Sequence, residues 1–189
     1  GMHELNAAIL TQFHDGLILS SKNLHIFLER AGVPAHRLDE LVSMNKWSKD
    51  YFQATPVDFT FTEGAVPGTP LTAVHTPGHC PGQVCLRLDD LLFTADHVLS
   101  HTTPIQSPEF IARYTGLGHY LESLVKIRKE EGVRLALGGH EFEMPDLAAR
   151  VDATIQFHED RLAKVLDLCD EPKTIRDISK GMFKKRQHY

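Results

Sequence analysis

No uninterrupted apolar run in this chain approaches the roughly 20 residues that a membrane-spanning helix needs. No charged-then-apolar leader opens it either, so the expectation is a soluble, non-secreted, cytoplasmic protein without a membrane partner. Cysteine is scarce. Cys80, Cys85 and Cys169 are odd in number and unevenly spaced, which excludes a disulfide framework and points to reduced thiols. Neither sign of charge dominates: 20 Lys and Arg against 25 Asp and Glu leave a net −5. That balance argues against a broad nucleic-acid footprint, and the one basic cluster, Lys184-Lys185-Arg186, is too short to reverse it. Internal repeats and low-complexity segments are also missing, which excludes solenoids and linker-like chains. What the chain does have is histidine, 12 in 189 residues, and most of these must be structural.

The densest chemistry lies in residues 71–100, LTAVHTPGHCPGQVCLRLDDLLFTADHVLS. Leu71, Ala73 and His75 alternate with Thr72, Val74 and Thr76, as in a strand. Two Pro-Gly pairs then bracket His79 and Cys80. Proline fixes φ and glycine opens positive φ, so this predicts a rigid loop that presents His79. Val84, Leu86 and Leu88 predict the next strand, Asp89-Asp90 a turn, and residues 91–94 a short strand that delivers Ala95-Asp96-His97. If the two post-strand loops lie side by side, His79 and Asp96 converge. Further on, residues 135–141, LALGGHE, read as an apolar strand ending in Gly-Gly-His.

HTPGHCPGQ followed by LLFTADHVLS resembles the third and fourth motifs of the metallo-β-lactamase-fold hydrolases, the superfamily that includes glyoxalase II, and Gly138-Gly139-His140 is similar to the motif that follows. The resemblance implies that His79 binds one metal, His140 the other, and Asp96 bridges both and sits at the catalytic centre. It implies two ions of zinc, iron or manganese. A hydroxide held between them would attack an ester, thioester, lactone or amide carbonyl. His97 and His75 are expected to support these residues from behind rather than to bind metal. Cys80 is read as no ligand, and Glu141 as an exposed residue without a catalytic part. His3, His25, His36, His101, His119, His158 and His188 are read as ordinary surface or packing histidines.

Elsewhere the pattern predicts helix over residues 2–32 and 34–45, a strand over 57–61, turns at Glu63-Gly64 and Pro67-Gly68, mostly one helix over 108–131 with Gly116 and Gly118 as candidate breaks or kinks, a strand over 134–137 and an amphipathic helix over 146–169. Thr174 is placed as the N-cap of a last short helix. The expected fold class is α/β (α+β), the C-terminal part of a metallo-β-lactamase-like αββα sandwich. Residues 2–145 would form that domain, and residues 146–189 a long helix with part of a winged-helix-like appendage, an arrangement similar to the glyoxalase II-like subgroup.

The superfamily's first metal motif, His-x-His-x-Asp-His, is not found. Gln12 and His14 hold two of its spacings, but Gly16 and Leu17 stand where Asp and His belong. The chain therefore reads as cut at both ends, with His79, Asp96 and His140 as the surviving ligands. A catalytic zinc takes three protein ligands. Three readings follow. The first is a metal-dependent hydrolase of a small-molecule substrate, incomplete in this chain. The second is an inactive fragment or pseudo-enzyme that self-associates, as a homodimer, through an open sheet edge or apolar face. The third, a nucleic-acid-processing hydrolase, is disfavoured by the charge balance.

Overall fold

The computed structural model describes residues 1–47, 49 and 52–183. The basic cluster Lys184-Lys185-Arg186 and His188 lie outside them. Two compact units divide the chain, one of Gly1–His14 with Gln53–Ile155 and one of Asp15–Phe52 with Gln156–Tyr189. No helix among the described residues is long and apolar enough to cross a membrane.

The first unit is built on a six-stranded mixed sheet in the order β3-β4-β5-β6-β7-β8, with β3 Gly64–Ala65, β4 Thr72–His75, β5 Val84–Leu88, β6 Leu91–Ala95, β7 Leu135–Gly138 and β8 Glu143–Met144. Alternation decides which face each side chain takes. Val74, Cys85, Leu92, Ala136 and Met144 form one face, and against it pack Tyr120, Leu124 and Ile127 of α4 (Leu117–Ile127) and Leu147 and Val151 of α5 (Leu147–Asp167). The spacing of Tyr120, Leu124 and Ile127 puts all three on one helix stripe. The other face carries Leu86, Leu88, Phe93 and Leu137, which stay partly exposed. A smaller parallel pair joins β1 (Met2–His3) to β2 (Thr60–Phe61), and α1 (Glu4–Thr11) follows β1 directly.

The second unit takes in most of α2 (Phe13–Arg30), α3 (Ala35–Trp47), the end of α5 and α6 (Ile175–Phe183). Gly32, at φ 84°, closes α2: its N–H reaches the Glu29 carbonyl and that of Val33 reaches Leu28, the paired bonds of a Schellman cap. A Cβ at Gly32 would lie 2.8 Å from Thr174, so only glycine admits the start of α6 here. Thr174 Oγ1 accepts the N–H of Asp177 at 3.2 Å, as its N-cap reading requires.

Several expected elements differ. Residues 2–3 form a strand rather than the start of a helix, because their main chain pairs with Thr60 and Phe61. The predicted strand over 57–61 is reduced to those two residues. Gly64–Ala65, read as a turn, pairs with β4 as an edge strand. The helix expected over 108–131 exists only from Leu117, since Tyr114 and Gly116 take φ of 61° and 107° and no helix continues through such residues. Strand β8, after the Gly-Gly-His loop, was not anticipated at all.

Leu124 is fully buried between α4 and the sheet. Leu124→Ala is expected to lower unfolding stability by about 2–5 kcal/mol, measured by urea denaturation of the full chain.

Candidate metal centre

Sheet topology decides which loops meet. β4 is antiparallel to β5 and β5 to β6, while β6 and β7 are parallel. Strands β4, β6 and β7 therefore point the same way, and the loops that follow them open at one end of the sheet. That end is where ligands gather in such sheets. His79 follows β4, Asp96 follows β6 and His140 follows β7. The structure brings all three together. His79 Nε2 stands 3.6 Å from Asp96 Oδ2, and His140 Nε2 stands 3.5 Å from Asp96 Oδ1. The carboxylate thus presents one oxygen to each ring.

Each side chain is placed by its own local device. The loop before His79 docks on the start of α4: Ser123 Oγ donates to the Pro77 carbonyl at 2.8 Å and the Gly116 N–H to that of Gly78 at 3.0 Å. Gly78, at φ 138°, comes so close to α4 that a Cβ would lie 2.6 Å from the Tyr120 main chain. Beyond His79, the Gly82 N–H is held by Asn6 Oδ1 at 2.9 Å, which ties the loop to α1. Asp96 is aimed by a break in register between Phe93 and Ala95 and by the left-handed Ala95, at φ 46°. Such bulges re-aim a side chain at the end of a strand. Gly139 completes the seat. A Cβ there would lie 2.6 Å from Asp96 Oδ1, so only a glycine lets the carboxylate reach its position.

His79 Nδ1 donates to the Ile105 carbonyl at 2.7 Å. A carbonyl can only accept, so this bond fixes the proton on Nδ1 and leaves the Nε2 lone pair facing Asp96. His75 bonds through Nε2 to the Pro81 carbonyl at 2.8 Å and stacks on His3 at 4.3 Å, inside the fold and behind the loop. His97 is fully buried against the edge of Tyr120, whose hydroxyl donates to the His97 carbonyl at 3.0 Å. Burial pushes the pKa of His97 down to about 4, against a main-chain interaction at Ser123 that raises it. Cys80 lies beside Asn6, at 3.5 Å from Nδ2, and burial raises its thiol pKa.

Glu141 is not the idle surface residue that its sequence position suggests. Its carboxylate accepts from the His101 N–H at 2.6 Å, from Thr102 Oγ1 at 2.7 Å, and from Ser100 Oγ and the Thr102 N–H at 3.2 Å. The Thr102 hydroxyl, then the His101 amide, hold its pKa down to about 2. No periodicity or motif signals this, because the donors lie some 40 residues away in the chain and their amides carry no side-chain signature.

The donors match one half of a two-cation site. Two imidazole nitrogens, one with its tautomer fixed, flank the two oxygens of one carboxylate, as a bridging carboxylate requires. In number they fall short. Among the described residues no group of three or more His, Cys, Asp or Glu side chains is arranged to hold a metal ion. Each cation would draw one nitrogen and one oxygen from this set, against the three protein ligands of a catalytic zinc.

The sequence profile of the metallo-beta-lactamase superfamily matches residues 8–140, from α1 through the last candidate histidine. The chain belongs to this superfamily. Among curated relatives it is 30% identical over 112 residues to the lactamase-like protein aptB of Emericella nidulans, a match covering 57% of this chain and 33% of that protein. It is also 30% identical over 122 residues to an atrochrysone carboxyl ACP thioesterase of Aspergillus fumigatus, covering 61% of this chain and 36% of that one. The chain thus spans about a third of the length of these relatives. A metallo-beta-lactamase family protein from Thermus thermophilus superposes with a TM-score of 0.73 at 23% identity, covering 96% of this chain and 60% of that one. A beta-lactamase domain protein from Burkholderia ambifaria gives 0.57 at 20% identity, over 79% of this chain and 50% of that one. These likenesses bear on the fold, a mixed sheet with helices, as expected from the sequence.

The close approach at Gly139 makes the seat of Asp96 testable. Gly139→Ala is expected to displace the carboxylate by about 1 Å or more, since real Cβ contacts do not reach 2.6 Å. A crystal structure of the variant checks this through the distances from Asp96 to His79 and His140, which are expected to lengthen.

Proposed function

We propose that this chain carries the carboxylate-bridged half of a metal-dependent hydrolytic centre that acts on an ester or thioester carbonyl. The carrying observation is the pair of imidazole nitrogens on opposite oxygens of Asp96. Membership of the superfamily and the thioesterase among the relatives support the reaction class. His79, Asp96 and His140 would hold the cations, with the remaining donors supplied from outside the described residues. Imidazole and carboxylate together suit zinc, iron or manganese. A divalent cation bound there supplies Lewis-acid polarisation of a carbonyl and acidifies a bound water.

The chain's own groups do the positioning. Asp96 sets the spacing of the two sites, and the Ile105 carbonyl orients the His79 ring so that Nε2 is turned towards Asp96. Two apolar side chains near the candidate ligands are exposed, Ile105 at 82%, whose own carbonyl orients His79, and Phe142 at 72%, two residues past His140. They would offer apolar contact to the acyl part of a substrate.

Metal uptake and hydrolysis test the reading together. After dialysis against dilute zinc, iron or manganese, elemental analysis is expected to find up to two ions per chain, with Asp96→Asn lowering affinity by at least about tenfold. Thioester hydrolysis is expected to follow metal content. A chain that takes up no metal, yet stays folded, would sink the proposal and leave the scaffold reading, in which the partly exposed sheet face serves self-association.

A further inference from the structure

The loop over residues 98–106 connects the three candidate ligands without contributing one. It leaves Asp96, passes Ser100, His101 and Thr102, and ends at Ile105, whose carbonyl orients the His79 ring. Two charged side chains fasten it. Arg150 donates to the Leu99 and Thr102 carbonyls, at 2.5 and 2.7 Å. Glu141 gathers the loop's donors on the other side: Oε2 takes the His101 N–H and Ser100 Oγ, and Oε1 takes Thr102 Oγ1. Ser100 Oγ in turn accepts the Phe142 N–H at 3.2 Å, so the loop also grips the main chain just past His140.

We propose that Glu141 is a positioning residue of the centre: its carboxylate clasps this loop from the strand end that carries His140, and through the loop holds the Ile105 carbonyl that sets the His79 ring. Both oxygens are needed as acceptors, because donors converge on each. A glutamine amide would turn an NH2 group towards one set of donors, and an aspartate would not reach. Charge-assisted bonds to main-chain amides are stronger than neutral ones, which suits a clasp between two loops. Glu141 itself takes a left-handed φ of 70°. The metal-affinity arm of this proposal rests on the cation-binding reading above, while the geometric arm does not.

The test uses the full-length, 15N-labelled, metal-free chain at about pH 8.5, some two units above the ordinary imidazole value. Long-range ring spectra are expected to show His79 as the Nδ1–H tautomer in the wild type. In Glu141→Gln and Glu141→Ala they are expected to show a mixture in which Nε2–H appears. Thr102→Ser, which keeps the hydroxyl, is expected to behave as wild type. Zinc affinity by chelator competition is expected to fall about 10–100-fold in both Glu141 variants. Folding is checked by circular dichroism, and if the alanine variant does not fold, the near-isosteric glutamine variant decides. A wild-type His79 tautomer in a folded Glu141 variant overturns the proposal, whatever the zinc affinity. Should the wild-type chain bind no zinc, the cation reading fails and the tautomer alone upholds or overturns the role of Glu141.

Discussion

Three polar groups converge on one small volume: the carboxylate of Asp96 and, each at a different oxygen of it, the Nε2 atoms of His79 and His140. A carboxylate facing the bare nitrogen of a neutral imidazole is not a stable pairing by itself. The contact becomes favourable when something positive lies between, whether a proton on the ring or a metal cation. At His79 the Ile105 carbonyl has already claimed the ring proton on the far side. On a neutral ring this leaves Nε2 as the acceptor atom turned towards Asp96. Every other local feature, from the bulge before Asp96 to the glycine beneath it, serves to bring these atoms together.

The framework that does so is apolar and distant from the charges. Tyr120, Leu124 and Ile127 press α4 on the sheet, and the same helix then anchors the His79 loop through Ser123 and the close approach of Gly78. Core packing and ligand placement are thus one mechanical unit. A substitution that shifts α4 by a few tenths of an ångström reaches His79 with no element between to absorb it. The burial of His97 belongs to the same packing. Its ring packs against Tyr120, and the Tyr120 hydroxyl holds its main-chain carbonyl.

Much of this was legible in the residues. The Pro-Gly pairs around His79, the apolar strand before Asp96 and the strand before Gly-Gly-His are local signals with local causes, and the structure has strands and loops there. What escaped is of two kinds. Strands of two residues, such as Met2–His3, Gly64–Ala65 and Glu143–Met144, are too short to show alternation and exist only because a partner strand is present. The helix expected over 108–131 gave way for a different reason: Gly116 was a candidate break, but the left-handed Tyr114 near it has no signal in the apolar spacing. In the site, His79, Asp96 and His140 could be singled out by resemblance. Glu141 could not, because its importance lies in amides and hydroxyls of a remote loop.

The bonds that hold the candidate ligands do not involve the atoms that would face a cation. His79 is fixed through Nδ1, Asp96 by the bulge and by Gly139, and the neighbourhood of His140 by Glu141 and Ser100. Such a site is preorganised: the ordering entropy of the ligands is met in folding rather than in binding. A half-set of donors can then keep its geometry without metal, and the shortfall in donor number acts on affinity rather than on shape. Completing the set would require only that further donors be brought to the open side of the same strand ends, where the sheet already gathers its loops.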